Sequence, residues 1–185
     1  MTMTNVMPDQ TPSNAPMSAA PMQYNADGSV AWGDMWTTFC TLAQDGGPPH
    51  RGDGDAIPAQ TNVNPNDSNY SFAVSEICRG IRETTGLEAH ADEIGWIAVQ
   101  CPIVGQAQWL AGAIRLENVA ARHDDLTVFV PVSHIFTLKG EIKSVITVVA
   151  KTVHYWNDHL PPQVKQSYAI QAKLGGWKRK LFGKK

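Results

Sequence analysis

Two short apolar runs joined by a helical pattern constrain this chain more than any other feature. Gly95 to Cys101 reads as a strand, Gln106 to Arg122 as a helix, Leu126 to Val132 as a second strand, and Thr137 to Asp158 as a long helix. A strand, a helical crossover and a strand predict a βαβ unit with parallel strands and right-handed connection. Both strands are apolar almost throughout, the pattern of strands covered on both faces. The expected fold is α+β: one domain with a small βαβ core flanked by helices, extended if residues 24–32 and 87–93 add short strands. Two strands make a thin sheet, so partner strands from a second copy, in a homo-oligomer, are a further expectation.

With 185 residues, 43% hydrophobic and 17% charged, the chain suits one domain with a sizeable core. Residues 1–22 are rich in Met, Pro, Thr, Asn, Gln and Ala without periodicity, and are expected to form a disordered tail. The globular domain is expected over 23–160 and a basic tail over 161–185. Fifteen basic and seventeen acidic residues leave a net charge of −2, which argues against specific nucleic-acid binding through a general surface charge. Three cysteines, Cys40, Cys78 and Cys101, form no C-x-x-C pair and suggest a reducing compartment. The start lacks a secretory pattern and no apolar run is long enough to span a bilayer, so a cytoplasmic location is expected.

Upstream of the core, Asp34 is an N-cap candidate for a helix to about Gln44, and Asn66-Asp67-Ser68 starts a helix that ends at Gly86. In that second helix Tyr70, Ala73, Val74, Ile77, Cys78 and Ile81 make the apolar stripe. Gly80 inside the helix lowers its propensity by about 1 kcal/mol relative to Ala and is expected to mark close packing with another backbone. Between the two helices stands Gly46-Gly47-Pro48-Pro49-His50-Arg51-Gly52. A stiff loop that offers one permanently charged fork and one titratable ring suits a phosphate or carboxylate. A helix-stop loop with two solvated side chains is the plainer alternative.

The crossover helix buries two surfaces. Glu117 falls in the same sector as Leu110, Ala113 and Ile114, where a carboxylate must be paired, hydrogen-bonded or protonated. It is a candidate general acid or base, or metal ligand, or else half of a structural ion pair. On the last long helix Leu138, Ile142, Val145, Val149, Thr152 and Trp156 form the apolar stripe. Lys139, Lys143, Thr147, Lys151 and His154 lie opposite, as an ordinary solvated face or as the wall of an anion-binding groove. His154 and His159, five apart, are about 140° apart on an α-helix and make no i,i+4 metal pair. In a parallel sheet, ligands bind beyond the carboxyl ends of the strands, which marks Cys101, 103–105 and 131–134.

The first functional expectation is a small protein that binds an anionic metabolite or cofactor. His50, Arg51, Lys143 and Lys151 would contact it, and Glu117 and His154 would do any acid–base chemistry. That reading requires the Gly-Gly-Pro-Pro loop and the last helix to meet. The second is a non-enzymatic adaptor or accessory subunit. Residues 173–185 carry six basic groups among Trp177, Leu181 and Phe182, and would contact a membrane surface or an acidic protein partner. No phosphate-binding loop, nucleophile elbow or zinc spacing is present, so no cofactor or metal is specified.

Overall fold

A computed structural model describes residues 21–36 and 56–171. The expectations for residues 1–20 of the N-terminal tail, for His50, Arg51 and their loop, for Cys40 and for the basic segment 173–185 lie outside the described residues, while Met22 packs against the core.

Helix α1 spans Ser68–Thr85. The Asp67 carboxylate accepts the Asn69 N–H at 2.8 Å and caps its start. Gly86, at φ +71°, ends it and donates to the Arg82 carbonyl at 2.9 Å. One face buries Ala73, Ile77, Cys78 and Ile81. Arg79 donates to Glu76, to Glu83 and to the Val30 carbonyl at 2.9 Å, tying the segment before residue 32 to the helix.

Four strands follow, β1 (Ala89–Ala91), β2 (Trp96–Gln100), β3 (Arg122–Asp124) and β4 (Thr127–Pro131), in the order β1-β2-β4-β3. All neighbours are antiparallel. The expected parallel pairing of 95–101 with 126–132 is therefore replaced by an antiparallel one, with Ile97 opposite Val130 and Val99 opposite Val128. A helical crossover between parallel strands still exists, but its second strand is β3. Both β2 and β3 run antiparallel to β4 and so parallel to each other, joined by helix α2 (Val104–Leu116). The chain then folds back as a hairpin, and β4 slots between them.

The physical cause is an early stop to α2. Asn118 takes φ +57° beyond the helix, and Ala120 and Asn118 exchange backbone hydrogen bonds with Ile57 at 2.8 Å. That frees 122–124 to extend. Asp125, at φ +46°, then makes the two-residue turn that sets Asp124 opposite Thr127. With four strands from its own chain, the sheet no longer calls for partner strands.

Ile97, Val99, Val128 and Val130 point from one sheet face into the core. The other face is closed differently. Arg122 lies over the rings of Phe129 and Trp96, at 4.1 and 5.0 Å, and its guanidinium meets Glu93 at 2.9 Å.

The last long helix is interrupted at both ends. It enters through a π turn, Leu138–Ile142, continues as α3 (Lys143–His154) and leaves through a second π turn, Tyr155–His159. Helix α3 packs against both α1 and α2. Every residue from Lys143 to Val153 is buried. Gly80 of α1 faces Ile146 so closely that an added Cβ would stand 2.9 Å from its Cγ1 and nearer still to its Cδ1. A final helical stretch, 162–171, lies against Gly105, where an added Cβ would come 3.0 Å from the Ala169 nitrogen.

Candidate functional site

An α-helix buried around its circumference must satisfy its own polar groups, and α3 does so locally. Thr147 donates to the Lys143 carbonyl at 2.6 Å and Thr152 to the Val148 carbonyl at 2.9 Å. Lys151 donates to Glu117, the residue that caps α2, at 2.6 Å. Burial pushes the Lys151 amine below its ordinary range, while the Glu117 hydrogen bond and charge pull it back. Lys143 is 2% exposed, and burial lowers its amine as well. Of the expected site residues, the structure thus brings Glu117 and Lys151 together, as an ion pair inside the core. The proposed cationic groove wall does not form at Lys143 and Lys151, because neighbouring elements cover that side of the helix.

Because β2 and β4 pair antiparallel, Cys101 and 103–105 lie at one end of the sheet and 131–134 at the other, so the expected shared strand-end site does not form. Cys101 is buried, and its thiol is pushed up to about 12 by burial alone. Burial also raises the Cys78 thiol, against a smaller opposing pull from Arg82. Both thiols are therefore protonated at neutral pH, and an unreactive structural role fits them.

The chemistry that reaches the surface gathers where α3 ends. Leu160 donates its N–H to the carbonyl of Tyr155, five residues back, at 2.9 Å. Such a π turn carries more residues per turn than an α-helix, so side chains five apart come to lie over one another. His154 and His159 meet for this reason. Their Nε2 atoms are 3.2 Å apart and their rings cross at 64°. The α-helical angle had separated these two side chains, and the π turn removes the separation.

Asp158 Oδ2 lies 2.9 Å from His154 Nδ1. A carboxylate there accepts a proton-bearing Nδ1–H, which leaves the His154 Nε2 lone pair directed away from it. The contact with His159 then completes an Asp158–His154–His159 relay. Trp36 stands edge-on to His154 with ring centres 5.6 Å apart, and Tyr155 lies 5.7 Å from His159.

This end is held rigidly from beneath. Trp109 of α2 stacks on Tyr155 at 6.0 Å and 5°, and packs against Trp156 at 5.6 Å. Lys165 lies over Trp156 at 5.9 Å and donates to the Asn157 carbonyl at 2.9 Å. The cluster is also open to solvent: the His154 side chain is 27% exposed and that of Asp158 58%. An arrangement of this kind can transfer protons, hydrogen-bond an oxyanion or ligate a metal. Among the described residues, no group of three or more His, Cys, Asp or Glu side chains converges as a metal centre.

His154 is legible in the sequence as a site residue, but Asp158 and His159 as its partners and Trp36 and Trp109 as its supports are not. The dense run His154-Tyr155-Trp156-Asn157-Asp158-His159 was the available signal. The sequence matches no protein-family model, and no curated protein and no solved structure matches the chain.

Proposed function

We propose that this protein binds a small metabolite bearing a carboxylate or phosphate at the His154–His159 end of α3. The observation that carries the reading is the 3.2 Å approach of the two Nε2 atoms beside a carboxylate-anchored ring. Imidazoles take the part that Lys143 and Lys151 would have played, since those amines are enclosed by the fold. Trp36 and Tyr155 wall the site, and His154, oriented by Asp158, is the residue for proton transfer if the bound molecule reacts. Glu117 is tied to Lys151 inside the core and acts on the site only through the position of α3.

The test is a thermal-shift and calorimetric screen of phosphorylated and carboxylated metabolites against the full chain, run both with and without a chelator. A hit is expected to be lost in His159→Gln, an exposed substitution, and retained in Lys139→Gln. Binding that ignores both histidines would remove the reading.

A non-enzymatic accessory subunit is the second reading, favoured by the outer sheet face. There an arginine roofs two aromatic rings, a composition common at the centres of protein interfaces. Pull-down with Phe129→Ala and with a chain lacking 173–185 separates a sheet contact from a contact through the basic tail. Among the described residues, no helix is long and apolar enough to cross a membrane.

A further inference from the structure

The negative end of the α3 dipole, together with the Asp158 carboxylate, creates a site that favours a cation. An anion arriving alone meets both as a cost. Two imidazoles that converge beside a carboxylate make a different occupant attractive. We infer that His154 and His159 chelate a divalent transition-metal ion through their Nε2 atoms, and that the anionic ligand is taken up on that ion. The inference rests on the reading of this end of α3 as the ligand site.

Three observations support the metal. The first is the spacing. Imidazole nitrogens lie about 2.0–2.1 Å from zinc. Two such ligands on one ion are therefore about 2.9 Å apart at a right-angled geometry and about 3.3–3.4 Å apart at a tetrahedral one. The observed 3.2 Å falls between these values without movement of the backbone.

The second is the partner of the other ring nitrogen. Histidines that bind metals hand their remaining N–H to a carboxylate or carbonyl, which fixes tautomer and ring orientation. Asp158 does this for His154 at 2.9 Å. Its contact is on Nδ1, so it is a positioning residue and not a ligand. On metal binding His159 moves its proton to Nδ1, and no other proton transfer is required.

The third is rigidity. The π turn that aligns the two rings is pinned by Trp109 against Tyr155 and Trp156, so the pair is pre-organised. With two nitrogens supplied by the described residues, further coordination positions can be taken by water or by the oxygens of a carboxylate or phosphate. The metal thus supplies the positive charge that the anion needs. Imidazole ligands suit Cu2+, Ni2+ and Zn2+, with Cu2+ bound most tightly of the three.

The test uses tag-free full-length protein, stripped with a chelator and titrated with Cu2+ against a chromophoric competitor. Electron paramagnetic resonance then counts coordinating nitrogens. One site with two imidazole nitrogens is expected. His159→Gln and His154→Gln should each weaken it at least ~10-fold, and Asp158→Asn about 10-fold, the usual effect of removing such a support. Far-UV circular dichroism checks the fold of each variant, and exposed His159 keeps the test sound if His154→Gln unfolds. Unchanged Cu2+ affinity and stoichiometry in His159→Gln would overturn the metal site. The two ideas fail separately. Anion binding that persists in chelator and needs His159 sinks the metal alone. Cu2+ bound with two nitrogens, yet with no anion taken up, sinks the anionic-ligand reading alone.

Discussion

Lys151 and His154 stand less than one turn apart on the same helix, and each meets a carboxylate. Lys151 reaches Glu117 at 2.6 Å with side-chain exposures of 9% and 6%. His154 reaches Asp158 at 2.9 Å with exposures of 27% and 58%. The first pair bridges two elements and is sealed from water. The second is local, formed within one turn and open on one side. The same kind of contact therefore has two uses, and burial decides which. Enclosed, it fixes the position of α3 against the end of α2. Exposed, it orients a ring that a ligand can reach.

Removal of one partner of the enclosed pair carries the largest expected effect. Lys151→Met removes the amine that meets the buried Glu117 carboxylate at 2.6 Å, and a loss of about 3–5 kcal/mol in unfolding free energy is expected. Glu117→Gln removes the negative charge that faces the buried amine and should act in the same direction. The double variant Glu117→Gln/Lys151→Met should lose clearly less than the two singles added together, because no charge is left uncompensated. Urea unfolding of all four proteins measures the coupling. A Lys151→Met protein as stable as the wild type would return Lys151 to the list of ligand contacts.

A smaller effect sharpens the contrast from the packing side. Alanine favours a helix over glycine by about 1 kcal/mol, so Gly80→Ala would stabilise α1 in isolation. Here the new Cβ meets the Ile146 side chain, and overpacking of a filled core costs about 1–3 kcal/mol. A net loss of up to ~2 kcal/mol is expected by denaturant titration. Ile146→Ala in the same chain removes the clashing atoms, so the pair should cost less than the sum of its members. Neither change touches the end of α3, and binding there should be unaltered while the protein is folded.

Much of the skeleton is legible in the sequence. The Asp67 cap, the Gly86 stop and the stripe through Ile77 and Ile81 define α1, and the apolar runs locate β2 and β4. Strand direction is not legible, because β3 is three polar-edged residues, Arg122-His123-Asp124, with no alternation to report it. The apolar Val119-Ala120-Ala121 just before it prolongs the helical pattern past the true end of α2 at Leu116. The site is hidden for a related reason. A helical wheel assumes 3.6 residues per turn and one wet face. Helix α3 has no wet face between Lys143 and Val153, so a wheel that sets Lys143 and Lys151 opposite the apolar stripe does not report their burial. Its last turn departs from 3.6, which brings together two histidines that the wheel sets apart.

The smallest expected effect is at Asp158. Its carboxylate is more than half exposed, and exposed pairs contribute about 0–1 kcal/mol after solvent screening. Asp158→Asn should therefore change unfolding free energy by less than ~1 kcal/mol, a fraction of the Lys151→Met effect. Its consequence for the neighbouring ring should be larger than its consequence for the fold. The amide can present an N–H to His154 Nδ1, which favours the opposite tautomer and turns the lone pair away from Nε2. The His154 side-chain nitrogens, followed by 15N NMR, should then show proton occupancy redistributed between Nδ1 and Nε2 in Asp158→Asn. A tautomer unchanged by the substitution would mean that Trp36 and the aromatic packing alone orient the ring. In that case the exposed carboxylate would be an ordinary surface charge, and the contrast between the two pairs would reduce to one of burial without a difference of role.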